Sequence, residues 1–341
     1  MNSDDPGYTQ AGVQGNEKPG NWPRLRIPRL LWRTGWSSED EWLESARQLY
    51  QLMCRQFDLP DLGGKSVLDM GCGTKLSKIL IDEQRPVGRY AGVDVNRDVI
   101  DFLQQNVRDK RFSYHHIDVR NDLYNPTGTP LTDYSRLPLN DEQFDIICLF
   151  SVFTHLAPRD YHQMLRVLRP HIKPGGRLIY SLFLRGDFSL LLIEALKSRD
   201  MQTVRWVFSH LHEAFQKLPP QSRKRIEQRF ISLTGRDVRS IAEMDINGHG
   251  EVSAAMSRDL LDNLNEKNIL ALAALYNKLS GAPVNGYFER VPDEPLQRST
   301  YYGWYAFELI NGTGWEVMSL NPPEEAIQHY FICCPDEEHN A

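Results

Sequence analysis

Apolar and polar positions follow two rhythms along this chain. Between residues 65 and 184, short apolar runs at 66–70, 90–95, 112–117, 144–150 and 177–184 are separated by longer amphipathic stretches. That alternation predicts parallel strands joined by crossover helices. Ahead of it, Ser37-Ser38-Glu39-Asp40 offers capping residues. Trp42, Leu43, Ala46, Leu49, Tyr50 and Met53 then recur at helical spacing, which predicts a helix within 28–57. Beyond 184 the alternation stops. Residues 185–298 read as charged helices, broken at Pro219-Pro220 and at the glycine-rich 247–250. A helix at 303–311 and strand-like runs at 315–320 and 330–334 come next, with no internal repeat.

The expected organisation is a polar, disordered tail over 1–24 and a helical cap over 25–62. An α/β core occupies 63–184 and 299–337, with a helical insertion, or lid, over 185–298 between its two parts. A chain of 341 residues suffices for that core. The net charge of −6 argues against a protein built mainly to grip nucleic acid or an anionic membrane. No apolar run approaches the roughly 20 residues of a membrane span. The five cysteines, Cys54, Cys72, Cys148, Cys333 and Cys334, have no metal-ligand spacing, so no metal is expected. Their odd number fits a reduced chain, and the cytoplasm is the default location.

The chemistry concentrates at Val67-Leu68-Asp69-Met70-Gly71-Cys72-Gly73-Thr74-Lys75-Leu76. The end of a buried strand runs into a turn with two glycines, and a helical pattern comes after it. Glycine lets backbone pass close to a ligand, and the helix start offers N–H groups to a negative one. Asp69 would repel a phosphate and attract an ammonium group. A ligand carrying both a carboxylate and an ammonium suits this turn better than a pyrophosphate.

Two further acids recur at strand ends. Asp94, in Tyr90-Ala91-Gly92-Val93-Asp94-Val95-Asn96, lies where a carboxylate can take both hydroxyls of a ribose. It could also cap the helix that Asn96 and Asp98 begin, and the two roles are compatible. Asp118 ends Phe112-Ser113-Tyr114-His115-His116-Ile117-Asp118-Val119, where adjacent His115 and His116 face opposite ways on a strand.

Asp69-x-Gly71-x-Gly73 resembles the first motif of class I S-adenosylmethionine-dependent methyltransferases, written Asp-x-Gly-Cys-Gly-Thr; Lys75 stands where many members have a third glycine. Phe144-Asp145 through Ser151-Val152-Phe153-Thr154-His155-Leu156, and Leu168-Arg169-Pro170 with Lys173-Pro174-Gly175-Gly176, are similar to that family's fourth strand, its following loop and its fifth strand. The resemblance covers 65–184, and more loosely 301–335. It implies a seven-stranded, mostly parallel, doubly wound sheet and the cofactor S-adenosyl-L-methionine. It further implies cofactor contacts from Asp69, Gly71, Cys72, Gly73, Thr74, Asp94, Val95, Asn96, Asp118, Val119, Phe150, Ser151 and His155. In that scheme Asp118 meets the adenine amino group, the Val119 N–H faces a ring nitrogen, and the turn 124–128 closes over the ring.

A nicotinamide-dependent dehydrogenase shares the ribose acid but needs Gly-x-Gly-x-x-Gly, and here the last position is Leu76. A methyltransferase-fold protein that binds without catalysis is the third reading, and a long lid speaks against it. Methyl transfer from a sulfonium needs a nucleophile held in line and, for a hydroxyl, a base. His155 is the candidate base, with packing against the cofactor as its bland alternative. Trp36, Tyr301, Tyr302 and Tyr305 are candidates for the acceptor pocket, or for plain core. Lid size and acidic charge point to a small or medium organic acceptor methylated on a hydroxyl, such as a sugar, polyketide or lipid-linked glycan; N- or C-methylation is the alternative.

Three features stand apart. Residues 245–256 resemble an EF-hand loop, but Met256 replaces the bidentate Glu and His249 holds the fifth position, so a helix–turn–helix is expected rather than a calcium site. Arg223-Lys224-Arg225 reads as a solvated helix face. His210 and His212, two apart, point to different sides of a helix.

Overall fold

The computed structural model describes residues 24–32, 38–185, 187–243, 264–280, 286–289, 298–321 and 328–337. Trp36, the EF-hand-like stretch 245–256 and nearly all of the expected tail lie outside the described residues.

The strands are β1 (Leu62–Met70), β2 (Val87–Asp94), β3 (Phe112–His116), β4 (Phe144–Leu149), β5 (Ile172–Arg185), β6 (Tyr287–Glu289), β7 (Ser299–Tyr302), β8 (Trp315–Asn321) and β9 (His329–Pro335). The sheet runs β3-β2-β1-β4-β5 in parallel, then continues through β9, antiparallel to β5, to β8 on the outside. They give the expected mostly parallel, doubly wound arrangement, but the described residues form a sheet of nine strands rather than the expected seven. Two more extend it: β7 pairs with the last three residues of β5, and β6 pairs with β7. The strand order reverses between β1 and β4, the place where open α/β sheets bind ligands.

Helices α1 (Glu39–Arg55), α2 (Lys75–Asp82), α3 (Arg97–Asn106) and α4 (Pro158–Leu168) flank the parallel strands. Three of their starts have a clear local cause. Ser38 accepts the Glu41 N–H to cap α1, Asn96 accepts from Asp98 and Val99 to cap α3, and Pro158 opens α4 at a position that needs no N–H. The charged region after β5 folds as α5 (Phe188–Ser198), α6 (Met201–Gln216), α7 (Pro220–Thr234), α8 (Val238–Ala242) and α9 (Glu266–Ser280), with α10 (Gly303–Glu308) before β8. Pro219-Pro220 separates α6 from α7 as its fixed backbone angle requires.

Strand alternation sorts the core to two faces. Val67, Tyr90, Ile146, Cys148 and Ile179 pack toward α1, α2 and α3. Leu68, Val93, Ile147, Leu149 and Tyr180 face the other way, in one cluster with Leu165 of α4 and with Leu192, Phe208, Phe230 and Leu270 of the inserted helices. The insertion is therefore packed on the sheet through a continuous apolar layer. At the opposite end from the strand C-termini, Asp145 joins three strands. Burial alone would raise its carboxyl, but Lys173 Nζ at 2.8 Å and the Ser66 N–H and hydroxyl at 2.8 and 2.6 Å hold it down at about 2.

Candidate active site

The turn after β1 needs its glycines. Gly71 and Gly73 have φ of +73° and +49°, and a Cβ on Gly71 would run into the side chain of Val152. The N–H groups of Gly71 and Cys72 donate to the Val93 carbonyl at 2.6 and 3.1 Å, laying the turn over the end of β2. Gly73 N–H then donates to Asp94 Oδ2 at 2.9 Å, and Asn96 N–H to Oδ1 at 2.9 Å. The buried Asp94 carboxylate thus clasps the two loops, while Asn96 serves as the cap of α3. The helix-cap reading of Asp94 is corrected on that point. Thr74 is buried, and its hydroxyl points to the Leu31 carbonyl at 3.5 Å, so the segment before α1 lies against this turn. Trp32 stacks on buried Trp42 with centroids 4.7 Å apart, fixing that segment to α1.

Asp69 sits one layer below the turn. Tyr90 OH donates to Oδ2 at 2.6 Å and the Cys148 thiol lies 3.6 Å from Oδ1. Burial pushes its carboxyl up to about 6, against the pull of those two donors. Asp69 is thus covered, and its partners on β2 and β4 were not legible as such.

On the β3 side, exposed Asp118 accepts from Asn125 Nδ2 at 3.0 Å and Thr129 Oγ1 at 3.2 Å, and these hydrogen bonds hold its carboxyl below the usual range. The loop 118–129 is folded around it. The Val119 N–H donates to the Ile117 carbonyl at 3.0 Å, so here that donor is already engaged. Half-buried Val95 packs on the apolar cluster shared with the helices after β5. His116 reaches the Val95 carbonyl and Arg97, while His115 lies near Glu142 and Arg89 and is lowered by burial; the pair diverges as expected.

After β4, Phe150 packs edge-on to Tyr330. Ser151 adopts φ +60°, uncommon for a residue with a side chain. Its N–H donates to Ser181 Oγ at 2.8 Å, and its hydroxyl meets the Gln328 side-chain amide at 3.1–3.2 Å. His155 ends a short 3-10 turn, Phe153–His155, and meets the Tyr124 ring edge-on at 6.2 Å. The loops after β3 and β4 therefore come together at His155. Gln328 and Ser181 carry no sequence motif, being single polar residues, one just before an apolar strand and one inside another.

Of the tyrosines, Tyr301 is wholly buried and donates to the Leu156 carbonyl at 2.5 Å, beside Ser299 Oγ at 2.7 Å on the same oxygen. It ties β7 to the loop after β4, which is the plain-core alternative of its two expected readings. Tyr302 and Tyr305 are half-buried; Arg185 lies over Tyr302, and Tyr305 lies beside Tyr301. His210 lies tilted against the Trp206 ring, centroids 4.0 Å apart, with Nδ1 2.8 Å from the Trp206 carbonyl. A groove of about 620 Å³ runs along β8 and β9 past Arg177, Trp315, Met318 and Asp336, away from the glycine turn.

A glycine turn tied to an acid at the end of the next strand, at the reversal point of an open α/β sheet, defines a nucleotide-cofactor class of protein. The narrower assignment comes from a family model described as a methyltransferase domain, which matches residues 43–232. The chain belongs to that family, whose class I members use S-adenosylmethionine. Over 142 residues the chain is 26% identical to tRNA N(3)-methylcytidine methyltransferase trm140 of Schizosaccharomyces pombe, covering 41% of this chain and 42% of that protein. It thus spans less than half the length of this relative. Among solved structures, the PH0226 protein of Pyrococcus horikoshii is 12% identical, with 88% of this chain and 92% of that one covered at a TM-score of 0.40. An S-adenosylmethionine dependent methyltransferase of Mesorhizobium loti is 18% identical, with 40% and 54% covered at 0.29. Among the described residues, no helix is long and apolar enough to cross a membrane.

Proposed function

We propose that this protein is an S-adenosylmethionine-dependent methyltransferase acting on a hydroxyl of a small or medium organic acceptor. The observation that carries the reading is the Gly73–Asp94 clasp, which places a ribose-type acid against a two-glycine turn. The site residues suit the cofactor. A carboxylate can accept about four hydrogen bonds, so Asp94 can serve the turn and a ribose together. Gly71, Cys72, Gly73 and Thr74 bring backbone to the amino-acid end, with Asp69 adding negative charge from beneath. Val95, Asn96, Asp118 and Val119 line the adenine side, where Asp118 would accept from the exocyclic amine and Val119 would offer apolar surface. Phe150 and Ser151 form the floor after β4.

The cofactor supplies an electrophilic methyl on a sulfonium. The chain's part is to align the acceptor oxygen, exclude water and take a proton. We assign the proton to His155, which the Tyr124 ring steadies between two site loops. The packed helices α5–α9, with half-buried Tyr302 and Tyr305, are assigned to enclosing the acceptor. The resemblance to a tRNA methyltransferase favours a second reading, N-methylation of a nucleic-acid base.

Incubation with methyl-labelled S-adenosylmethionine, offered bulk tRNA and a fraction of small hydroxylated metabolites in parallel, tests the acceptor. Label in the small-molecule fraction, lost in His155→Ala, is the expected result. Label in tRNA alone would replace the first reading by the second.

A further inference from the structure

We infer that Gln328 is a positioning residue for the glycine turn, acting through Ser151 and Val152. The inference rests on the cofactor reading above. Its starting point is the backbone of Ser151, whose φ of +60° is sparsely populated for a non-glycine residue and persists only where its surroundings impose it. Two partners from separate parts of the sheet impose it here. Ser181, in the interior of β5, accepts the Ser151 N–H at 2.8 Å. Gln328, immediately before β9, takes the hydroxyl within 3.1–3.2 Å of both its amide oxygen and its amide nitrogen.

The next residue along the chain gives that constraint a target. Val152 is the side chain against which Gly71 packs, so close that even a methyl group on Gly71 would collide with it. Gly71 is in turn held through its N–H on the Val93 carbonyl, with Gly73 on Asp94. A continuous series of packed and hydrogen-bonded groups thus runs from the C-terminal hairpin to the turn that faces the cofactor. Ser151 is its hinge, since the left-handed angle there decides where Val152 lies. Removing the Gln328 amide frees Ser151 to relax toward an ordinary angle, which withdraws Val152 and slackens the turn. Serine, not glycine, occupies this left-handed position. That choice makes sense if the hydroxyl is needed as the handle by which β9 sets the angle.

The test is calorimetric titration of the full chain with S-adenosylhomocysteine. Gln328→Met keeps length and removes hydrogen bonding; Gln328→Glu keeps an acceptor for the Ser151 hydroxyl. Expected are a loss of affinity of about three- to tenfold in Gln328→Met, from one net hydrogen bond, and substantial recovery in Gln328→Glu. The double variant Ser151→Ala/Gln328→Met should be no weaker than the worse single variant, because both cut the same link. Wild-type affinity in Gln328→Met, an equal loss in Gln328→Glu, or additive losses in the double variant would each overturn the inference. A wild-type chain that fails to bind would instead overturn the cofactor reading itself.

Discussion

The backbone N–H of Gly73 donates to the carboxylate of Asp94 at 2.9 Å, so the turn after β1 and the end of β2 share one buried acid. Because Asn96 N–H uses the other oxygen, removing this carboxylate strands two backbone donors. Asp94→Ala is expected to destabilise the protein by about 2–4 kcal/mol, judged from the desolvation cost of unpaired buried groups. Asp94→Asn, which keeps one acceptor, should cost less. Urea denaturation of both variants checks the order.

Gly71 carries two separable constraints, a positive φ and the side chain of Val152. Gly71→Ala should cost roughly 1–3 kcal/mol from backbone strain and further from the collision. Adding Val152→Ala should recover the steric part only. A double variant as unstable as Gly71→Ala alone, in chemical denaturation, would show that the contact with Val152 carries no weight.

One buried and one half-buried group, Asp69 and His329, are shifted into overlapping windows with opposite signs. Burial raises Asp69 to about 6, above the ordinary aspartate value near 3.8, so its contribution to stability is complete below about 3.8 and is lost as pH rises through about 6. Burial lowers His329 to about 4 from an ordinary 6.5, so the unfolded chain binds its proton more readily and stability is lost as pH falls from about 6.5 toward 4. The two slopes oppose each other between about pH 4 and 6. Asp69→Asn should uncover a rise of stability with pH in that window, and His329→Gln a fall. Denaturation midpoints measured across about pH 4–7 report both; unchanged slopes would show that neither group titrates there.

Tyr301 and Ser299 share the Leu156 carbonyl. Tyr301→Phe should lower stability by about 1 kcal/mol, and Tyr301→Phe/Ser299→Ala by more than twice that, since the double change leaves the carbonyl without either hydroxyl. Hydrogen exchange in residues 151–156 should quicken in the same order.

Legibility in the sequence followed the range of the forces involved. The five parallel strands, the glycine turn, Asp94 and the α3 start were readable because each depends on local chemistry: alternation, positive φ, capping. The ends were not. β5 begins at Ile172, earlier than its apolar run, because Pro174-Gly175-Gly176 is absorbed in a register shift against β4 rather than forming a separate turn. β6 and β7 escaped notice because Tyr287–Glu289 and Ser299–Tyr302 are short, and only the overhanging end of β5 gives them a partner. At the candidate site, the sequence names residues but not their surroundings. Asp69 reads as a ligand group, but Tyr90 and Cys148 enclose it from strands distant in sequence. Tyr301 reads as either pocket or core, and its hydroxyl is spent on Leu156. Gln328 had no local signal at all, because its role depends on a backbone angle at Ser151.

The most direct measurement is calorimetric titration of the wild-type chain and Asp94→Ala with S-adenosylmethionine, S-adenosylhomocysteine and NAD. Expected is binding of the first two in the micromolar range, weakened at least about tenfold in Asp94→Ala by loss of hydrogen bonds to a charged group. Binding of NAD alone, or S-adenosylmethionine affinity untouched by the loss of Asp94, would contradict the cofactor reading.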